Sequence, residues 1–319
     1  MISIEEGALK VVQTCAAVRP GERVLVITDK ERPEEVARAL AEAVRRVGAE
    51  TTVAIIPAGG PPGGEPPADV AVAMGEHDVV LAPTTRSMFH ADATRAAAAR
   101  GVRVVSLTNC GITTLTTGGI EADFEALEER CLAIAARLTA ARNLFVSSPA
   151  GTVLRASLDG RSGLANTALC RRPGEVTGCP TIEAFIAPVE GSAEGTLVID
   201  GSTPFGVLLT PIEITVAGGV ATVIRGGPHP NPLVKALDET AHSGSRVIAE
   251  FALGLNPLAR VVGNLIEDEG AYGTGHFALG SNTNMGGLNW APTHIDMIYM
   301  RPSVRLDDQL LMRDGELVD

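Results

Sequence analysis

Arg23-Val24-Leu25-Val26-Ile27-Thr28 is a mostly β-branched apolar run just after the turn Pro20-Gly21. It reads as a strand, and the segments after it alternate helix with strand. Glu34 to Val47 places Val36, Leu40, Ala41 and Val44 at helical spacing, and Thr51-Thr52-Val53-Ala54-Ile55-Ile56 is a second strand. Asp78-Val79-Val80-Leu81-Ala82 and Val102-Arg103-Val104-Val105-Ser106-Leu107 are two more, separated by an alanine-rich helix near Asp92 to Ala99. Strand, helix, strand in sequence specifies an open, mostly parallel α/β sheet. A long helix from about Ala122 to Ala141 closes this half. The first strand runs into Thr28-Asp29-Lys30 rather than a G-x-G-x-x-G turn, which argues against a dinucleotide site. Residues 58–67, rich in Gly and Pro, read as a loop. The loop Thr84 to His90 comes after a strand of the open sheet, where Arg86 and His90 could face a ligand, although a solvated loop is the more common outcome for such a segment.

From Asn143 onward the text changes to short strands joined by Gly and Pro turns: Leu144 to Ser147, Gly151 to Ala156, Ala184 to Ala187, Gly195 to Asp200 and Ile212 to Val216. Glycine pairs recur at 218–219, 226–227 and 286–287, as tight β connections require. One helix is expected near Pro232 to Thr240. The organisation expected is therefore an α/β N-terminal domain over residues 1–142 and a β-rich α+β C-terminal domain over 143–319 that carries the functional site.

Net charge is -12, and no basic cluster interrupts the acidic balance, so nucleic acid is not an expected partner. The start Met1-Ile2-Ser3-Ile4-Glu5-Glu6 has no signal-peptide character, and no run reaches the roughly 18 apolar residues of a membrane span. The five cysteines are scattered without C-x-x-C spacing and read as reduced cytoplasmic thiols.

Chemistry concentrates in the second half. In Thr293-His294-Ile295-Asp296-Met297 the two-residue period of a strand puts His294 and Asp296 on one face, a pairing suited to a divalent metal. Glu183 lies between Ile182 and Ala184, and Glu250 in the middle of Arg246-Val247-Ile248-Ala249-Glu250-Phe251-Ala252-Leu253-Gly254. A carboxylate buried unpaired in such a strand costs several kcal/mol, so each needs a cation, a hydrogen-bond network or solvent. With Glu269 and His276 in the same half, one shared cation cluster would satisfy all six.

The order of these residues resembles the aminopeptidase T type of metallo-aminopeptidase. Pro180-Thr181-Ile182-Glu183-Ala184-Phe185, Ala249-Glu250-Phe251-Ala252, Asp268-Glu269-Gly270-Ala271, His276-Phe277-Ala278-Leu279-Gly280 and Thr293-His294-Ile295-Asp296 match that family's ligand segments in order. The resemblance implies a homodimeric hydrolase of a small amide or short peptide, with two divalent ions (zinc, manganese or cobalt) held by Glu183, Glu250, Glu269, His276, His294 and Asp296. Glu250 would bridge the ions, and Glu183 would be a further ligand or the general base. The tyrosine that family carries after its H-I-A-L-G segment is replaced here by Asn282 or Thr283. A second resemblance is to the ring-cleaving dioxygenases of dihydroxypyridine, whose S-A-E-G-T-L-V-L-D segment is close to Ser192-Ala193-Glu194-Gly195-Thr196-Leu197-Val198-Ile199-Asp200 and whose terminal H-x-D matches His294 and Asp296. That likeness implies a single ferrous iron, although those enzymes carry a histidine where this chain has Glu250. Of the two, the hydrolase is the expected activity and the dioxygenase the alternative.

Overall fold

In the computed structural model, the described residues are 1–58, 64–89, 91–229 and 231–318. Part of the Gly/Pro loop and His90, a ligand-facing candidate, lie outside them. The chain runs α1 (Ile4–Lys10), β1 (Arg23–Asp29), α2 (Glu34–Arg46), β2 (Glu50–Ile56), α3 (Ala68–Met74), β3 (Val79–Ala82), α4 (Asp92–Ala99), β4 (Arg103–Ser106), α5 (Ile112–Thr116) and α6 (Phe124–Ala140). It continues through β5 (Asn143–Ser147), β6 (Val153–Ser157), β7 (Leu164–Asn166), β8 (Val176–Gly178), β9 (Glu183–Ile186), β10 (Glu194–Ile199), β11 (Ser202–Thr203), β12 (Gly206–Val207), β13 (Ile212–Ala217) and β14 (Val220–Gly226). Last come α7 (Pro232–Glu239), β15 (Ile248–Gly254), α8 (Leu265–Asp268), β16 (Thr274–Gly280), β17 (His294–Met300), β18 (Ser303–Leu306), β19 (Gln309–Arg313) and β20 (Glu316–Leu317). Among the described residues, no helix is long and apolar enough to cross a membrane.

Two compact units form: Met1–Leu127 with Asn166–Thr181, and Glu128–Ala165 with Ile182–Asp319. The sequence reading draws one cut, after residue 142, whereas each compact unit is assembled from two stretches of chain.

The first unit is the expected open sheet, in the order β2-β1-β3-β4-β8, with every pair parallel. Its helices form for reasons visible in their sequences. In α2, Val36, Leu40 and Val44 make one buried stripe, Glu34 and Glu35 occupy the first turn, and Arg45 and Arg46 the last, each charge favourable for the helix dipole. Leu25, Ile27, Val80, Ala82 and Val104 from the sheet pack with Met74, Met88 and Ala97 in the core.

The second unit holds two sheets. One has eight strands in the order β14-β13-β10-β6-β5-β18-β19-β20, and β13 alternates buried Ile212, Ile214 and Val216 with exposed Glu213, Thr215 and Ala217, leaving one face wet. The other runs β17-β16-β15-β9-β7. Every residue of β15 and β16 is buried, so this sheet is covered on both faces. On one of them Phe277 packs between Phe251 and Tyr299, with ring centroids at 5.3 and 5.7 Å. The opposite face carries the site.

Candidate metal centre

Strand register assembles this face. Antiparallel pairing sets Glu250 opposite Ala278 and Ala278 opposite Asp296, so the two acids flank a small residue in one row. In neighbouring rows Ala252 faces His276, Gly280 faces His294 and Gly254 faces Glu183. Alanine and glycine between the polar positions leave the space that ligand-type side chains need to converge. A bulge between Ile248 and Glu250 shifts the register of β15 against β16 just before the carboxylate, a local device that re-aims a side chain. Gly280 is required where it stands: its φ is +124°, and a Cβ there would lie 2.0 Å from the Thr293 carbonyl oxygen.

The donor atoms fall into two close groups that share Glu250: Glu183, Glu250 and His276, and Glu250, His294 and Asp296. His294 Nε2 lies 3.0 Å from Glu250 Oε2 and 3.1 Å from Asp296 Oδ1. His276 Nε2 sits further from its carboxylates, 3.4 Å from Glu183 Oε2 and 3.7 Å from Glu250 Oε1. Cys131 of α6 donates its thiol to the Glu183 carbonyl at 3.0 Å, fixing the start of β9, and burial pushes that thiol up to about 12. All five cysteines are buried, and none is in a disulfide.

Charge explains how such a cluster survives burial. Burial works against the ionised form of Glu250, but His276 and His294 outweigh it and hold the carboxyl below its ordinary value. Burial likewise disfavours imidazolium at His276, yet the facing carboxylates raise it to about 9, and Asp296 and Glu250 do the same for His294.

The two imidazoles differ on their outer side. His294 Nδ1 lies 2.7 Å from the Ser281 carbonyl oxygen, which can only accept, so Nδ1 carries the proton and Nε2 turns to the carboxylates. His276 Nδ1 is buried with no hydrogen-bond partner among the described residues. A metal-binding histidine normally donates its remote N–H to an oxygen, which fixes its tautomer and ring plane. Only His294 has this arrangement.

Of the six residues singled out in the sequence, five therefore meet in the two groups. Glu269 comes directly after α8 and stands outside both, although burial and the charges of Asp296, Glu183 and Glu250 push its carboxyl well up. Sequence reasoning missed its neighbour Asp268, fully buried, which accepts from Ser202 Oγ at 2.5 Å, Val262 N at 2.8 Å and Gly263 N at 2.9 Å and so anchors the turn that carries Glu269. Nothing in the acidic run Glu267-Asp268-Glu269 distinguishes the anchor from its neighbours. The donor set is imidazole nitrogen and carboxylate oxygen with no thiolate, and it fits a divalent cation such as ferrous iron, manganese or zinc.

Fold and site together define a two-unit α/β protein with a buried carboxylate–imidazole centre suited to a divalent metal. The chain belongs to the NicX family, 2,5-dihydroxypyridine 5,6-dioxygenase, whose family model matches residues 7–319. It is 29% identical over 211 residues to the 2,5-dihydroxypyridine 5,6-dioxygenase of Pseudomonas putida KT2440. That alignment takes in 60% of this chain and 58% of the relative, less than two thirds of its length. The structure of 2,5-dihydroxypyridine dioxygenase from the same organism superposes with a TM-score of 0.82 at 23% identity, over 99% of this chain and 96% of that one. Wild-type AmpT from Thermus thermophilus gives a TM-score of 0.70 at 20% identity over 99% of both chains. At these identities both likenesses speak to the fold alone.

The family match overturns the expectation of an aminopeptidase T-like hydrolase. That expectation rested on an order of acids and histidines along β9, β15, β16 and β17. The likeness to AmpT is of fold, and a set of donors on a shared sheet face does not by itself select the reaction.

Proposed function

We propose that the chain is a ferrous-iron-dependent dioxygenase that opens the ring of a dihydroxylated pyridine or a closely similar small heteroaromatic. The observation that carries the assignment of the iron to one group is the His294 arrangement: Nδ1 tied to the Ser281 carbonyl, Nε2 against Glu250 and Asp296, on a buried sheet face of a chain of this family. Glu250, His294 and Asp296 would hold the ion. When bound, ferrous iron supplies the redox chemistry through which dioxygen reacts with an electron-rich ring, both oxygen atoms entering the product.

The remaining residues prepare the substrate. A hydroxylated ring becomes electron-rich when its hydroxyl loses a proton, and Glu183, with Oε2 3.4 Å from His276 Nε2, is the acceptor beside the iron group. His276 steadies the Glu183 carboxylate and shares the proton. Burial of β15 and β16 limits access of bulk water to the reacting ring. The test is oxygen uptake by protein loaded anaerobically with ferrous iron and given 2,5-dihydroxypyridine. Stoichiometric consumption of oxygen and substrate, lost in Glu250→Ala and His294→Ala, supports the proposal. No uptake above the iron-only control with this compound or with other dihydroxypyridines removes it.

A further inference from the structure

The proton on His294 Nδ1 is held by a backbone oxygen, so the orientation of the imidazole depends on whatever fixes residue 281. Ser281 opens the loop that joins β16 to β17. Its own N–H donates to Thr293 O at 2.8 Å, closing the loop at its base. The next residue, Asn282, is fully buried, and both ends of its amide are used: Oδ1 accepts from Asn289 N at 2.9 Å and Nδ2 donates to Glu190 Oε1 at 2.9 Å. Leu288 N donates to the same Glu190 oxygen at 2.7 Å. The other Glu190 oxygen pairs with Arg161, whose Nη1 also donates to Gly286 O at 2.5 Å. Asn289 returns to the base of the loop through Nδ2, with bonds to Gly280 O at 2.6 Å and Gly244 O at 2.9 Å. Gly287 lets the turn close on this amide, since a Cβ there would meet Asn282 Cγ at 2.0 Å.

An ion pair whose Arg161 side chain is only 10% exposed is costly to bury, and it persists here because each oxygen of Glu190 is given to the loop or to the arginine. The loop it fixes buries Met285 and Ala291 but leaves Leu288 and Trp290 84% and 62% exposed. The clamp adds a polar anchor to that packing.

We infer that Arg161, Glu190 and Asn282 are positioning residues for the metal centre, holding the Ser281 carbonyl so that His294 presents Nε2 to the ion. The inference rests on His294 being a ligand, as proposed above. Nothing in the reaction requires these three side chains to touch substrate.

The experiment is titration of the metal-free full-length protein with Co2+, followed by calorimetry and by the visible spectrum of the bound ion, with thermal midpoints measured on the metal-free proteins. Glu190→Ala is expected to weaken Co2+ binding by at least ~10-fold, the scale for loss of an outer partner of a metal-binding histidine, and to alter the spectrum at saturation. Glu190→Gln keeps an oxygen for Leu288 N and Asn282 Nδ2, and should restore affinity to within ~3-fold of wild type. Arg161→Met tests the clamp from its other side and decides the matter if Glu190→Ala does not fold. Wild-type affinity and spectrum in folded Glu190→Ala or Arg161→Met, with only the thermal midpoint lowered, overturns the inference. His294→Ala is the control for the reading beneath it, and wild-type affinity in that variant removes the metal assignment itself.

Discussion

His294→Ala and His276→Ala separate the two donor groups that share Glu250. Both remove one imidazole from the same sheet face, but only His294 has its Nδ1 proton held by a carbonyl and both facing carboxylates within 3.1 Å. A structural zinc held by four ligands is worth about 10–16 kcal/mol, or roughly 3 kcal/mol for each ligand. At about 1.4 kcal/mol per decade, losing His294 should therefore weaken a divalent probe by ~100-fold or more. His276 lies 3.7 Å from Glu250 Oε1, so its loss acts on the ion through a ligand, and outer partners cost ~10–100-fold. The longer contact places it at the low end, ~10-fold. The assay is equilibrium competition for Co2+ against a chromophoric chelator, with ions per chain counted separately. One ion per wild-type chain, near-complete loss of binding in His294→Ala and a loaded but catalytically impaired His276→Ala are the expected results. Equal losses in the two variants, or two ions per wild-type chain of which each variant keeps one, refutes the assignment of a single ion to the His294 group.

Stability can be perturbed in three other places. Gly254→Ala would set a Cβ 2.2 Å from the Ala271 carbonyl oxygen, a backbone atom that cannot swing away, and should cost ~1–3 kcal/mol or more, read as a fall in thermal midpoint of several degrees. Tyr299→Phe removes a hydroxyl that is buried without a hydrogen-bond partner among the described residues, and should leave stability unchanged or raise it by ~1 kcal/mol in chemical denaturation. Burial alone would raise Glu190, but donors from Leu288, Asn282 and Arg161 hold it below its ordinary carboxyl value. Its stabilisation is therefore present above about pH 4.5 and lost as pH falls through the depressed folded value, so wild type should lose thermal midpoint more steeply than Glu190→Gln between about pH 5 and about pH 3.

Elements that bury a continuous or periodic apolar set were legible in the sequence. β3 is an unbroken apolar run, β1 is built around Val24, Leu25, Val26 and Ile27 and β4 around Val104 and Val105, and α2 shows its stripe at Val36, Leu40 and Val44. β8 was not legible. Val176-Thr177-Gly178 is too short to show a period, and its place beside β4 is fixed by long-range pairing of Val104 with Val176. Asn166 supports it, its Oδ1 accepting from Thr177 Oγ1 at 2.6 Å and from Gly178 N at 3.3 Å. Residues 166–181 thus join the first unit as an excursion from the second half of the chain, which no change of composition along the sequence reveals.

The centre was legible as a set of donors and illegible as a geometry. Period two alone puts His294 and Asp296 on one face, and an acid inside an apolar run marks Glu183 and Glu250. The row that joins Glu250 to Asp296 across Ala278 depends on register and on a one-residue bulge, and register is a property of three strands rather than of any one. The two histidines show the limit most clearly. Each lies in an apolar strand near acids, and motif reading treats them alike. The difference between them is the partner of Nδ1, a main-chain carbonyl at residue 281 for one and none among the described residues for the other. A carbonyl has no letter in the sequence, and the side chains that aim it, Arg161 and Glu190, lie in turns distant along the chain from the loop they hold. Reaction class then depends on how the shared fold deploys its donors, which is why donors read along the strands pointed to a hydrolase while the family match points to a dioxygenase.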